Sequence, residues 1–464
     1  MIPLGLDDIA EVVGGKVLRC EQPHTVLVTS VSSDSRQLSQ GDMFIALKGP
    51  NFDGHRFVAK AAEMGCSVAL VESEQEVDIP QLLVTDCYKA MGLLAAFVKQ
   101  QVKPKTVAIT GSSGKTTVKE MVAAILSQLG SVLATKGNFN NEIGVPLTLL
   151  RLEPQHQYAV IELGANHIGE IAYTTALTKP DVAVINNIAA AHLEGFGDLC
   201  GVARAKGEIY EGLSESGVAI YNQDTPYTEK WQWRLTDKKV RTFSCVKQAD
   251  CYCSNIRIND LGFSSFTLHT AEGEIDITVP VPGRHNVCNA VAAAAVALEF
   301  GASLEQIKSG LAGMAPVKGR LNIVNLATSM TLIDDSYNAN VESTKAAVEL
   351  LSGYKGRRIL ILGDMAELGE DARRYHQDIG EHALALGVDN VLTLGVLSQS
   401  ASSVYDGNGA HFSQRDKLLA HLIELCAGEQ QNITILVKGS RSARMEQVVQ
   451  DIKSWRNSEK ESTC

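Results

Sequence analysis

Thr110-Gly-Ser-Ser-Gly-Lys-Thr-Thr117 decides how this chain is read. It follows a short apolar run, Val107-Ala108-Ile109, of the kind that forms a buried strand. It opens a segment whose apolar residues, Val118, Met121, Val122, Ile125, Leu126 and Leu129, recur at helical spacing and stop at Gly130. Strand, glycine turn and helix N-terminus, in that order, make a cradle for a polyphosphate. Gly111 and Gly114 let the backbone amides around Ser112 and Ser113 turn inward, and the helix dipole adds positive potential. Lys115 is placed to reach β- and γ-phosphates, and the hydroxyl of Thr116 or Thr117 to hold Mg²⁺. The first glycine of the usual P-loop falls at Ile109, so the loop is short and the bare pattern unspecific. Its context makes a nucleoside triphosphate site the reading; the competing one is a glycine turn with a surface lysine.

Composition bounds the rest. A chain of 464 residues exceeds one hydrophobic core, and usual domain sizes give about three domains. Hydrophobic residues at 45% and charged residues at 20% describe an ordinary globular protein. A net charge of −11, with no Lys/Arg stripe to offset it, excludes a nucleic-acid footprint. Phosphate handling must then be local, as at Lys115. The start, Met1-Ile-Pro-Leu-Gly-Leu-Asp-Asp8, has no basic region and no signal-peptide core. The longest apolar stretch, Ala290 to Leu298, is too short for a transmembrane segment. The 10 cysteines include no Cys-x-x-Cys pair and only one close pair, Cys251 and Cys253. Zinc spacing is absent, and unpaired thiols in a reducing, cytoplasmic compartment are expected.

Connections divide the chain. Residues 1–101 alternate short strands (Thr25 to Val31, Met43 to Leu47, Val68 to Val71, Leu82 to Val84) with helices near Phe57 to Gly65 and Tyr88 to Gln101. Lys103-Pro104-Lys105 reads as a linker. Residues 102–315 hold the P-loop, strands at Ala159 to Leu163 and Val182 to Ile185, and a hairpin of Ser264 to His269 with Glu274 to Val279. An alanine-rich helix from Asn286 to Phe300 follows, ended by Gly301. In residues 316–455 strands at Met330 to Ile333, Arg358 to Leu362, Val391 to Leu394 and Ile433 to Val437 alternate with helices, the signature of a doubly wound sheet. The polar tail, 456–464, is expected to fray. The fold class is therefore α/β in three domains, with a central P-loop ATPase-like parallel sheet and a C-terminal Rossmann-like domain.

In open α/β sheets ligands gather at the carboxyl ends of strands. Glu162 sits there in Ala159-Val-Ile-Glu-Leu-Gly164, and a carboxylate in so apolar a strand needs a partner such as a metal; an ion-paired glutamate is the plainer reading. His192 follows another strand, and beside Glu162 and a P-loop a metal role outweighs that of a loop histidine. Lys206, in Ala205-Lys-Gly-Glu208 on a helix, reads by itself as surface charge. Asn286 and Asn289 share one face at a helix start, suited to a base or phosphate, or else to capping by Asn286 with Asn289 exposed. Asp334-Asp335-Ser-Tyr-Asn338 leaves a strand of the third section, where paired acids suit a ribose, a metal or a turn cap.

These motifs, with Gly283-Arg-His-Asn286 and Gly319-Arg320, occur in the order found in the Mur ligases, which build the peptide stem of the bacterial cell-wall precursor. Gly137-Asn-Phe-Asn-Asn-Glu-Ile-Gly144, Asp335-Ser-Tyr-Asn-Ala-Asn340, Leu362-Gly-Asp-Met-Ala-Glu-Leu-Gly369 and Lys438-Gly-Ser-Arg441 most resemble the branch that adds D-Ala-D-Ala to UDP-N-acetylmuramoyl-tripeptide. The resemblance spans nearly the whole chain and implies an ATP-dependent ligase with a UDP-sugar-binding first domain. It implies that Thr116, Glu162, His192 and a carbamylated Lys206 bind Mg²⁺, two ions in all, and that Asn286, Asn289, Arg320 and Asp335 contact ATP. Asp34-Ser-Arg36 and Asp53-Gly-His55 resemble segments facing the UDP-sugar. Ser35, Arg36, Asn138, Asn140, Asn141, Tyr337 and Asn338 are the substrate-binding candidates it supplies. One departure is Val341, where the family usually has proline after Asp-Ser-Tyr-Asn-Ala-Asn, a change that bears on loop rigidity.

Rival readings keep part of this. A Mur ligase adding diaminopimelate or lysine, or a folylpolyglutamate synthase, keeps the chemistry; the Asp-Asn-Pro-Arg segment of diaminopimelate-type members is absent here. A P-loop kinase or switch would bind nucleotide without forming an amide, and a non-catalytic scaffold is disfavoured by intact Lys115, Glu162, His192 and Lys206. No heptad pattern calls for assembly, so a monomer is expected. The sequence names no general base: His376 lies in the right section, but a helix-surface role suits it better.

Overall fold

Three principal β-sheets follow one another along the chain, in a computed structural model that describes residues 1–462, with side chains to 458. The first has five strands in the order Lys16–Leu18, Gln81–Leu83, Val68–Val71, Asp42–Ile45, Ser30–Ser32, parallel except at the Lys16–Leu18 edge. Its long helix, Cys87–Val102, is capped by the Asp86 side chain, which accepts from Lys89 N–H. The helix ends at Lys103 with φ 52, just before Pro104. The strand expected over Thr25 to Val31 is broken. Pro23–Thr25 forms a 3₁₀ turn, Leu27–Val28 pairs with Leu4–Gly5, and only Ser30–Ser32 joins the sheet. A helix at Leu6–Val13 went unforeseen because Gly5 supplies no side-chain cap to announce it.

The middle sheet has nine strands. From one edge come Val132–Ala134, Tyr158–Glu162, Lys105–Thr110, Val182–Ile185, Val218–Asn222, Lys239–Ser244 and Cys251–Ile258, all parallel. The expected hairpin, Phe263–Thr270 with Gly273–Pro282, completes it antiparallel. Its inner strands are apolar through their middles because both faces are covered. The P-loop helix Lys115–Leu126 and the alanine-rich helix His285–Glu299 bury one face. The other shares a continuous core with the first sheet's helices, joining Leu6, Met91 and Leu94 to Ala108, Ile161 and Ala183.

The third sheet runs Asn322–Ala327, Met330–Asp335, Ile433–Lys438, Arg357–Gly363, Asn390–Leu394, Gly409–Phe412. It is parallel apart from the Asn322–Ala327 edge strand, which the sequence reading missed. The last helix, Glu446–Ser462, continues into the segment expected to fray, whose final two positions lie outside the described residues. Among the described residues no helix is long and apolar enough to cross a membrane.

The expectation of unpaired thiols is corrected at one place. Cys245, after strand Lys239–Ser244, is bridged to Cys288 in the first turn of helix His285–Glu299, with Cα atoms 5.7 Å apart. A sequence separation of 43 hid the proximity, which only the fold creates.

The middle and third units touch at the P-loop and again at the turn before Phe263. Arg320 Nη2 donates to Thr116 Oγ1 at 3.1 Å, Asn340 Nδ2 to Ser112 O at 3.1 Å, and the Tyr354 hydroxyl to Leu261 O at 2.9 Å. The P-loop therefore faces the strand ends of the third sheet.

Candidate active site

Parallel pairing sets the site's floor. Ile109 lies level with Glu162 on one side and Thr110 level with Ile185 on the other. Gly111, Glu162 and Asn186 thus leave the sheet along one edge. The P-loop is braced from that edge by two asparagines. Asn187 accepts from Ser113 N–H at 2.9 Å and donates to Ser113 Oγ at 2.9 Å. Asn186 Nδ2 donates to Ser113 O at 3.1 Å and to Asn289 Oδ1 at 2.9 Å. Ser112 Oγ donates to Ala189 O at 3.0 Å and its N–H to Asn187 O at 3.1 Å, while its carbonyl accepts from Asn340. Gly114, at φ 75, has no room for a side chain: a Cβ would sit 2.4 Å from Asn289 Oδ1.

Asn286 and Asn289 are both buried, and neither foreseen alternative of capping or exposure describes them. Asn289 donates to Asn286 Oδ1 at 2.8 Å, and Asn286 donates to Pro282 O at 2.7 Å. The two form a chain of amides that ties the helix start to Asn186 and the P-loop.

Above this floor opens a cavity of about 680 Å³. It is lined by Ser112 to Thr117, Asn138, Asn140, Asn141, Glu162, His192, Asn286, Asn289, Arg320, Asp335, Tyr337 and Asn338, so most of the sequence candidates converge. Gly111 supports the loop from behind, its carbonyl accepting from Lys115 Nζ at 2.8 Å. Ser35 and Arg36 are not brought to the cavity: Arg36 is exposed and forms an ion pair with Asp34 at 2.9 Å. Lys206 also lies outside the lining, but next to it, with Nζ 5.7 Å from the Phe196 ring centre.

Charge inside the site is unbalanced. Glu162 is only 2% exposed; Oε1 accepts from Asn140 Nδ2 at 2.8 Å, while Oε2 is buried without any partner. An orphaned carboxylate oxygen in a cavity that Thr116 also lines suits a hard divalent cation. Lys206 is 1% exposed and meets no hydrogen-bond acceptor or anion among the described residues; burial, followed by repulsion from Lys115, drives its amine well below the usual lysine range. That corrects the reading of Lys206 as surface charge. Burial also lowers Lys115, with Glu162 working in the opposite direction. Among the described residues, no three His, Cys, Asp or Glu side chains form a ready-made metal cluster.

The third unit adds side chains one loop at a time. Lys438 is ion-paired with Asp335 and donates to Asn338 O at 3.0 Å. Burial raises Asp335, and Lys438 opposes that rise. Tyr337 is flanked by Arg320 and Arg441, with guanidinium carbons 4.6 and 5.7 Å from the ring centre. Glu367 reaches His192 Nδ1 in an ion-pair contact. The roles of Asn186, Asn187, Asn340 and Glu367 were missed. The only signal was their presence inside quoted strand-end segments, which cannot say which side chain points where.

His376 is not on the surface. It is fully buried, donating from Nδ1 to Ala372 O at 2.6 Å and accepting at Nε2 from Met365 N–H at 2.8 Å. Both nitrogens are committed.

Three family models cover most of the chain. The Mur ligase family catalytic domain matches residues 27–125, the Mur ligase middle domain 109–297, and the Mur ligase glutamate ligase domain 319–441. The Escherichia coli K12 UDP-N-acetylmuramoyl-tripeptide–D-alanyl-D-alanine ligase is 50% identical over 450 residues, 97% of this chain and 98% of that one. A crystal structure of MurF from Acinetobacter baumannii superposes with a TM-score of 0.91 at 38% identity, covering 97% of this chain and 99% of that one. MurF from Thermotoga maritima in complex with ADP gives 0.82 at 26% identity, covering 93% and 99%.

Proposed function

The chain belongs to the Mur ligase family, and from that premise we propose that it joins D-Ala-D-Ala to UDP-N-acetylmuramoyl-tripeptide, using ATP, to give the pentapeptide precursor of peptidoglycan. The observation that carries the reading is one cavity where the P-loop and the orphaned Glu162 oxygen meet, with the buried Lys206 just outside its wall and close enough to feel Lys115. That is a site built to bring anions together.

A peptide carboxylate is a poor electrophile because its leaving group would be oxide. In the proposed reaction a carboxylate oxygen of the tripeptide attacks the γ-phosphorus, and the bond to ADP breaks to leave an acyl phosphate. The free amine of D-Ala-D-Ala then attacks the acyl carbon. The tetrahedral intermediate expels phosphate, and the amine's extra proton is lost. Such phosphoryl transfer is mostly positioning and charge neutralisation. The P-loop amides and Lys115 would seat the β- and γ-phosphates, with Lys115 leaving its present partner, the Gly111 carbonyl. Asn286, Asn289, Arg320 and Asp335 line the nucleotide side, while Asn138, Asn140, Asn141, Tyr337 and Asn338 line the substrate side. Two Mg²⁺ ions, held by Thr116 with Glu162 and by His192 with carbamylated Lys206, would supply the charge that lets carboxylate and γ-phosphate approach.

Carbamylation needs the free-base amine, the form that burial of Lys206 favours: the amine adds CO₂ and releases a proton, turning a buried cation into an anionic ligand. His376 cannot serve as base for the incoming amine, since both nitrogens are engaged. The division at residues 101 and 315 belongs to the same proposal, with Ser35 and Arg36 of the first unit left to hold the UDP-sugar. The monomer expected from the sequence is kept in the proposal, and the substrates support a cytoplasmic enzyme.

The test is mass spectrometry of products from the purified protein, ATP, D-Ala-D-Ala and each candidate UDP-sugar peptide. The pentapeptide product is expected, with ADP formed only when both other substrates are present. ADP formed without an amide would favour the kinase reading. For the modified lysine, Lys206→Ala should nearly abolish turnover and regain part of it with a small added carboxylic acid; an unaffected variant removes Lys206 from the site.

A further inference from the structure

The loop Gly363 to Gly369 leaves the third sheet, yet its tip belongs to the middle unit. Asp364 fastens its base, accepting from the main-chain N–H groups of Val396, Leu397 and Ser398 at 2.9, 3.0 and 2.8 Å. Met365 N–H is held by buried His376 at 2.8 Å. Two residues further on, Glu367 contacts His192 through its carboxylate and, through its carbonyl, accepts from Glu194 N–H at 3.4 Å. Both partners stand in the left-handed backbone region, Glu367 at φ 63 and His192 at φ 54. Non-glycine residues held there on both sides of one contact mark a junction that the surrounding structure enforces. The Glu367 side chain is 47% exposed, so packing does not explain its place.

We propose that Glu367 is a positioning residue for the ligation reaction: it fixes the ring orientation and tautomer of His192, and does so only while the third unit is seated on the middle one. A carboxylate facing Nδ1 keeps the proton on that nitrogen and leaves the Nε2 lone pair for whatever occupies the cavity that His192 lines. The arm carrying the carboxylate is rooted in the third sheet, so an incompletely seated third unit leaves His192 unoriented. The inference rests on the role given to His192 above and names the group that makes that role conditional.

The experiment compares Glu367→Ala, Glu367→Gln, His192→Ala and the double variant, with Glu370→Ala as a control on the same arm and melting temperatures to verify folding. Glu367→Ala is expected to lower kcat about 10- to 100-fold, the usual cost of removing a carboxylate behind a site histidine, with KM for ATP within about twofold. Glu367→Gln, whose amide oxygen can take the carboxylate's place beside Nδ1, should recover most of that loss. In the His192→Ala background Glu367→Ala should cost nothing more. Independently of turnover, ¹⁵N-histidine NMR of the full chain should show one fixed tautomer for His192 that becomes mixed in Glu367→Ala. Near-parental kcat for Glu367→Ala, additive losses in the double variant, or an unchanged His192 signal would each overturn the proposal. A fully active His192→Ala would instead remove the premise, the role of His192 itself.

Discussion

The middle and third sheets bring the same feature, the carboxyl edge of parallel strands, to one cavity, and furnish it in opposite ways. The middle sheet offers main chain: eight consecutive residues, Thr110 to Thr117, shaped by glycine and braced by the amides of Asn186 and Asn187. The third sheet offers isolated side chains, Arg320, Asp335, Asn340, Glu367 and Lys438, drawn from four separate segments, several of them reaching across the gap. A contiguous seat is complete before substrate arrives. A set of single reaching groups is complete only when two units meet. The first should govern whether phosphoryl transfer occurs at all, and the second how often the site is assembled.

The sharpest way to break this contrast is Lys115→Ala. Removing the one cation of the preformed seat should lower phosphate release, with both substrates present, on the order of 10³-fold. Its buried position predicts a loss that added salt or higher ATP does not repair. Near-normal turnover would mean that the P-loop is not the phosphate seat, and the division between the sheets would fail with it.

Asn340 tests the other side, at smaller scale. Its side chain does two jobs: Oδ1 caps helix Val341–Ser352 by accepting from Ser343 N–H at 2.8 Å, and Nδ2 spans to Ser112 O. Asn340→Ala should cost about 1 kcal/mol of stability for the cap. It should also cost roughly tenfold in kcat, the worth of a buried hydrogen bond made only in the assembled state. Asn340→Ser separates the two, since serine caps as well but cannot reach Ser112. Stability should return while kcat stays low. If both return, the bridge does nothing.

The same contrast explains what the sequence disclosed. The P-loop was legible because its chemistry is contiguous and glycine-dependent, and the strand and helix periods around it were strong. The alternating third section gave its parallel sheet for the same reason. Lys206 was not legible from its helix: a lysine's burial depends on Phe196 and on the neighbouring Lys115, which no local pattern reports. The Cys245–Cys288 pair, the Asn186–Asn289 link and the Glu367–His192 contact all join residues far apart in the chain. The strand expected over Thr25 to Val31 failed because apolar alternation does not register a Pro23 turn beside it. His376 was misjudged because a polar helix face looks exposed until another loop covers it.

Acidification sharpens the comparison further. The P-loop is braced by amides, which do not titrate, whereas the arm bearing Glu367 hangs on the His376 imidazole. Burial lowers the His376 pKa below its usual 6.5, and its bond from Met365 N–H requires the neutral form. Below pH 6.5 the unfolded chain therefore takes up this proton more readily than the folded one, and stability falls as pH falls through that window. Thermal melts from pH 7.5 to 5 should show the decline, and His376→Gln should flatten it. Hydrogen exchange, corrected for intrinsic rates, should rise over 364–369 before it rises over 110–117. Simultaneous loosening of both segments would remove the distinction.

Val341 supplies the smallest test. It is the first residue of helix Val341–Ser352, where proline is favoured because the amide needs no partner there and φ is already helical. The preceding Asn340 has φ −135 and ψ 173, the extended conformation that a following proline demands. With Asn340 and Ser343 forming a capping box, the helix start is held by side chains rather than by a ring. The family's proline is thus replaced here without loss of the turn's geometry. Val341→Pro should raise stability by about 0.5 kcal/mol, chiefly by restricting the unfolded chain, and leave kcat unchanged. A destabilised variant would show that the buried Val341 side chain, packed in the third unit's core, matters more than backbone restriction. A raised kcat at equal stability would show that the stiffness of the loop from Asp335 to Asn340, rather than its contacts, limits how often the two sheets complete the site.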